Sequence, residues 1–462
     1  MMAAFGTGDF AGAADAADSF LEDASGSGDE IMWQLEAGTL ALLLKEYDKS
    51  IAHFDRAETL IEDFDQRAEV SLRQAGAESA VLLTNMNALP YRGWCRDRIM
   101  LPVFRALAYL GKEDQEGFRT EIFHLRGNQQ KVMDDYSAMF REEEEALRKE
   151  KEKNQEAAAN ADPDKILDEP SNQALRDSLR KTGGRGKRGV SADLLNPLGI
   201  FLSGYGYCRD GDWENALVDF ERLLRLYPRN RMIRRHYATV ARLAGRSDLP
   251  EWTEKEQLAF TPGERSLLVI FANGRGAAFK QSSLYLPIVF SDYAGLSAIA
   301  WPMCEYYDRP AGALSLSWQG GSARTAPLAD MDDSLAREYR MRLPGLITRV
   351  ALSTAVKEAA AYAIARAARE MDEWAAIAAE VGTSVYKAAV NTADTRCWET
   401  LPGEFQAMEI PMPRDGKVTV RFGEALSETV TVPEGAESAI LFLYAPGNGV
   451  LHSQIFSLEK GK

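Results

Sequence analysis

Two short blocks of this sequence gather side chains that could do chemistry. In the first, Tyr91, Arg92, Trp94, Arg96 and Arg98 crowd aromatic rings and guanidinium groups together. That combination suits cation–π contacts and the grip of a carboxylate or peptide terminus, which makes it a candidate partner-binding site. A structural role competes with it: Arg92 and Arg96 would pair with acids on neighbouring helices and Trp94 would enter the core, as Trp usually does. In the second block, Asp394 and Arg396 are placed to form an ion pair at the mouth of a terminal sheet. Trp398 would pack beneath, and Leu401-Pro402 would make a rigid helix-to-strand corner.

Other chemistry is sparse. Cys95, Cys208, Cys304 and Cys397 lie far apart, as do His53, His124, His236 and His452, so no metal-ligand spacing exists and no metal or cofactor is expected. The thiols read as buried and free. There is no Gly-x-Ser-x-Gly elbow, no His-Glu-x-x-His and no dinucleotide fingerprint after a strand, and Gly186-Lys187 lacks the rest of a phosphate loop. No catalytic residue is assigned. The alternative to a noncatalytic protein is a hydrolase working through a carboxylate pair, which leaves no sequence pattern. With 54 Lys+Arg against 69 Asp+Glu, the formal charge is −15, and such a surface repels phosphate backbones, so nucleic acid is not an expected partner.

The elements that must position these blocks follow from periodicity. A helical hairpin grammar of small residue, aromatic, turn, small residue, aromatic and terminal proline fits Gly204, Tyr207, Gly211, Asp212, Ala216, Phe220 and Pro228. Looser copies hold Gly38, Tyr47, Ser50, Phe54 and Ala57; Gly8, Asp9, Phe10, Ala13 and Phe20; and Ala106, Tyr109, Gly111, Phe118 and Phe123. These copies predict a tetratricopeptide-like α-solenoid over 1–141 and a further repeat over 196–253, since one hairpin cannot bury its own apolar face. Between them, 142–195 is charged and then Gly-rich, ending in the basic run around Arg185, Lys187 and Arg188. It reads as a mobile linker or insertion, dispensable for folding.

From 254 to 462 a C-terminal α+β domain with a mixed or antiparallel sheet is expected, so the whole chain reads as α+β and multidomain. Strands are predicted at 266–272, 284–290, 296–300, 312–318, 417–422, 429–432 and 439–444, around an Ala-rich helical stretch over 330–393. Two surfaces suggest a homo-oligomer: the strands 429–432 and 439–444 as sheet edges, and the smooth helix face of Val350, Ala351, Ala355, Ala359 and Ala363. No stretch reads as a membrane span, because Arg349, Lys357, Glu358 and Arg366 interrupt the most apolar one.

Taken together, Leu89–Leu101 with Ala106–Gly111, and Ala393–Pro402, resemble a bacterial family of tetratricopeptide-containing proteins, commonly cell-envelope lipoproteins. The resemblance implies architecture and a place in the envelope or periplasm; no catalytic residues come with it. The repeat grammar together with the missing chemistry predicts a noncatalytic protein–protein interaction scaffold, which the resemblance would set in an envelope assembly with membrane contact only through a lipid anchor. This sequence shows no lipidation cysteine or signal peptide: no Lys or Arg precedes Lys45, the reverse of a basic n-region. That acidic start favours a basic partner segment.

Overall fold

The computed structural model describes residues 1–74, 91–185, 196–290, 293–371, 392–423 and 426–459. Helices dominate the first half: α1 (Met2–Gly6), α2 (Phe10–Ala24), α3 (Glu30–Leu43), α4 (Tyr47–Gln74), α5 (Cys95–Gly111), α6 (Gln115–Lys153), α7 (Gln155–Ala158), α8 (Pro163–Asp168), α9 (Gln173–Arg185), α10 (Pro197–Arg209), α11 (Trp213–Leu226), α12 (Arg231–Leu243) and α13 (Trp252–Lys255). Helices α2 through α6 each pack on the next in sequence, α6 passes directly to α10, and α10 through α12 continue the array.

The small-and-aromatic spacing has a steric cause. A Cβ on Gly38 would sit 2.8 Å from the Phe54 ring, and one on Gly204 would sit 3.1 Å from Phe220, so glycine lets the helices of each pair approach. The turns repeat as well. Gly8, Glu113 and Gly211 take positive φ, and the following Asp9, Asp114 and Asp212 accept hydrogen bonds from Gly12, Gly117 and Asn215, capping α2, α6 and α11.

Three sheets follow. The largest is mixed, in the order β11-β10-β1-β7-β6: β1 (Ser266–Arg275) runs parallel to β10 (Ser438–Ala445) and antiparallel to β7 (Pro402–Pro411), with β11 (His452–Leu458) and β6 (Ala326–Asp330) outside. Alternation along β1 and β10 divides their side chains between two cores. Leu268, Ile270, Ile440, Phe442 and Tyr444 join the helical core, while Leu267, Val269, Phe271, Leu441 and Leu443 meet Leu316, Val418 and Val420 of the second sheet. That second sheet is antiparallel, in the order β5 (Gly321–Arg324), β4 (Ser315–Trp318), β8 (Lys417–Phe422), β9 (Leu426–Thr431). The result is three layers: helices, mixed sheet, small sheet. Because the mixed sheet fills the inner side of the array, α3, α5 and α10 are buried nearly all round.

The third sheet is a long ribbon of two antiparallel strands, β2 (Ala278–Phe290) and β3 (Tyr293–Glu305). One face, with Leu284, Leu286 and Ile288, packs against α14 (Met331–Met371) through Tyr339, Ile347, Ala351, Leu352 and Ala355.

Several expectations are corrected here. The boundary at 141/142 falls inside the 39-residue α6. The segment read as a mobile linker is helical through Arg185 and buries Ala157, Ala161, Ile166 and Leu175 against the ribbon and α14. Its charge pattern hid these few apolar anchors; 186–195, with Lys187 and Arg188, lies outside the described residues. The strand 439–444 is no edge but is wholly buried between β1 and β11. On α14, Ala351 and Ala355 are covered by the ribbon, so the smooth face is spent within the chain except toward Ala359 and Ala363. Of the helical stretch expected over 330–393, α14 covers Met331–Met371, and 372–391 lies outside the described residues.

Candidate functional site

The two sequence blocks meet. Trp94 caps the start of α5, and its indole Nε1 donates to the carbonyl of Arg396 at 3.1 Å, across 302 residues of chain. The Arg96 guanidinium donates through Nη2 to the carbonyls of Ala277 (3.1 Å) and Trp398 (3.3 Å), and through Nε to Asp97 at 3.2 Å. The Arg396 guanidinium stands 6.0 Å from the centre of the Tyr91 ring. The junction therefore joins α5, the β1–β2 connection and the segment 392–401.

Each candidate residue has a defined place. Tyr91 is buried, and its hydroxyl donates to Asp97, which also accepts from the Trp94 backbone N–H at 2.9 Å. Arg92 is about one-third exposed; it bonds Asp65 at 3.0 Å and lies over the Phe64 ring. Arg98 also pairs with Asp65. Arg96 is wholly buried, and its Nη1 has no partner among the described residues. Asp394 holds Arg396 by two bonds, Nε–Oδ1 at 2.8 Å and Nη2–Oδ2 at 2.7 Å, and Arg396 reaches Asp29 at 3.0 Å. Trp398 is fully buried between Phe54 and Phe104, and its Nε1 donates to the Thr39 and Thr400 hydroxyls. Pro402 opens β7, just after a turn at Glu399 and Thr400.

Sequence spacing missed the acids that complete this junction. Glu36 on α3 accepts the backbone N–H groups of Glu399 (2.6 Å) and Thr400 (3.1 Å). Glu338 on α14 accepts the N–H of Cys95 at 2.7 Å. Asp332 accepts the N–H of Ala277 at 2.6 Å and pairs with Arg309 at 2.8 Å. Farther along, Glu409 of β7 accepts the N–H of Gly263 at 2.8 Å and meets Nε2 of His236 at 2.7 Å, while the other ring nitrogen faces the Met232 carbonyl at 2.8 Å. In each case a buried carboxyl group accepts a backbone N–H from a distant segment. No local motif announces such a pairing, because donor and acceptor share no sequence interval.

Burial dominates the electrostatics of these groups. Burial pushes Glu36 up to about 8 and Glu338 up to about 7, and raises Asp97 and Asp332 above the usual carboxylate range. Burial likewise raises the Cys95, Cys397 and Tyr91 groups, which disfavours thiolate and phenolate forms. All four cysteines are buried, and no disulfide joins them. Among the described residues no cluster of His, Cys, Asp or Glu could hold a metal ion, and no helix is long and apolar enough to cross a membrane.

The exposed surface is uneven. The large apolar side chains that stand exposed among the described residues are Phe20, Val218, Leu243, Val289, Leu296, Met341, Val356 and Ile364. Five of the eight lie on the ribbon and α14. Comparison of the chain with protein-family models, with curated proteins and with solved structures finds no match.

Proposed function

We propose that the chain is a noncatalytic protein–protein interaction scaffold whose partner surface is the projection made by the ribbon and α14. The observation that carries this reading is that five of the eight exposed large apolar side chains among the described residues lie on these two elements, since exposed apolar surface beyond scattered single residues marks interaction sites. The buried junction supports it from the other direction: its arginines and acids are engaged in fixing the helical array to the C-terminal half. The helical hairpins are read as tetratricopeptide-like. Their inner side carries the chain's own mixed sheet, so this reading places the partner outside the groove of the solenoid, and the acidic start has no special role in it. Asp18, Asp29 and Glu30 already pair with Lys49, Arg396 and Arg56.

The resemblance to envelope tetratricopeptide proteins supports an assembly of the bacterial cell envelope as the setting. A photo-crosslinking residue at Met341 or Ile364 tests the reading against the same residue at Val218 or Leu243 on the helical array. A protein partner captured in native envelope extract only from the projection is the expected result. Equal capture from both surfaces, or none from the projection, defeats the proposal.

A further inference from the structure

The two long edges of the β2–β3 ribbon are treated differently. On β2, the outward-facing backbone groups belong to the odd-numbered residues from Ser283 to Val289. Asn172 donates to the Tyr285 carbonyl and accepts its N–H, both at 2.8 Å. Asn160 does the same for Val289, at 3.1 and 2.8 Å. Between them Pro287 has no N–H to offer. Two amide side chains and a proline thus close this edge, as native sheets close edges that must not pair.

On β3 the register places Ala298, Leu296 and Ala294 opposite Tyr285, Pro287 and Val289, so their N–H and C=O groups face away from the ribbon. Near the base of this edge, Ser178 donates to the Cys304 carbonyl. Toward the tip, no hydrogen bond to the backbone groups of Ala294, Leu296 or Ala298 comes from outside the ribbon among the described residues. All three side chains are exposed, Leu296 at 52%. No lysine, proline or bulge guards this stretch.

We propose that this stretch of β3 pairs antiparallel with the same stretch of a second copy of the chain. Three observations choose a second copy over a foreign strand. A two-fold axis at Leu296 sets Leu296 against its equivalent and Ala294 against Ala298, so every outward-facing residue of one copy meets an outward-facing residue of the other, as an isologous contact requires. Ala294, Gly295, Ser297 and Ala298 are small, which lets two copies of one strand come together without a complementary set of side chains. Charge is the third. Two chains of formal charge −15 repel across most of their surfaces, whereas the described ribbon carries only Lys280 and Glu305, paired with each other at its base. The pair of ribbons forms one four-stranded sheet in the order β2-β3-β3-β2, and the asparagine-capped β2 strands at its two outer edges stop it from growing.

The inference uses the projection on which the scaffold reading rests but needs no foreign partner, so the two fail separately: crosslinking to another protein tests the first, self-association the second. Sedimentation equilibrium of the full chain is expected to give twice the chain mass of 51.1 kDa. Leu296→Lys is expected to give the single-chain mass with an unchanged circular dichroism spectrum. Val289→Lys, on the same face but the closed edge, is expected to leave the pair intact. Leu296→Cys supplies a positive reading: mild oxidation is expected to yield a disulfide-linked dimer, which Val289→Cys does not yield. A wild-type chain that sediments as a monomer up to its solubility limit overturns the proposal. So does a Val289→Lys variant that dissociates as readily as Leu296→Lys, since face-to-face apolar contact would then be the cause.

Discussion

Glu36 offers a quantitative test of how the junction is held. Its carboxyl is buried on α3 and accepts two backbone N–H groups from the 392–401 segment, which favour the ionised form, while loss of solvent opposes it. Burial wins, and the group rises from its ordinary 4.5 to about 8. Below pH 4.5 both the folded and the unfolded chain hold this proton, and the stability linked to it is fully present. Between 4.5 and about 8 only the folded state holds it, so stability falls by about 1.4 kcal/mol for each pH unit, up to a loss on the order of 4–5 kcal/mol. Above that, both states are ionised and the dependence ends. Glu338, raised to about 7, acts in the same direction over a shorter range, so the difference between the wild type and Glu36→Gln isolates Glu36. The amide N–H groups of Glu399 and Thr400 are the natural reporters, because their hydrogen exchange measures local opening without assuming that the whole chain melts in one step. After correction for intrinsic exchange, their protection in the wild type is expected to fall by about three orders of magnitude between pH 5 and 8. In Glu36→Gln only the shorter fall that Glu338 causes should remain, displaced by a constant for the amide that replaces one acceptor. Parallel profiles in the two proteins would show that the backbone donors outweigh burial and that the reasoning about this carboxyl is wrong.

Two further outcomes follow from packing. Gly403→Ala places a Cβ 1.5 Å from Nη1 of Arg309, which must then leave the buried Asp332; a loss of about 3–5 kcal/mol is expected in urea unfolding, and an unchanged midpoint would mean that Arg309 has another route to the acid. Excision of residues 154–179 removes Ala157, Ala161, Ile166 and Leu175 from the ribbon core together with both asparagine caps of β2, so calorimetry should show a lowered or lost transition and light scattering should show aggregation. A soluble product with the wild-type melt would restore the linker reading.

Much of the fold was legible because its causes are local. The strands at 266–272, 417–422 and 439–444 announce themselves by apolar runs or alternation, and the Gly204–Phe220 and Gly38–Phe54 contacts by small residues set a helix apart from rings. Segments whose apolar content is diluted were not legible: Ile166 and Leu175 sit among charges, and β7 reads as Pro-bounded and polar yet is buried along most of its length. The site divides the same way. Arginine and tryptophan marked both halves of the junction, where Trp94 and Arg96 hold backbone carbonyls of distant segments and Arg92, Arg98 and Arg396 hold carboxylates. Glu36, Glu338 and Asp332 carried no signal, since the backbone N–H groups they hold lie 363, 243 and 55 residues away, and His236 meets Glu409 across 173. No spacing rule reaches across such intervals.

The mixed sheet that lines the helical array also sets a timetable for synthesis. Helices α3 and α5 are apolar on the side where β1, β7 and β10 finally lie, and those strands come from the last 200 residues of the chain. At roughly 5–20 residues per second, a nascent chain carries these helices for tens of seconds before their cover exists. During that interval neither Glu36 nor Arg96 has the backbone groups it will hold. The first half is therefore the part most exposed to aggregation and to holdase chaperones, and a chain truncated before β10 should be cleared rather than accumulate as a free helical domain.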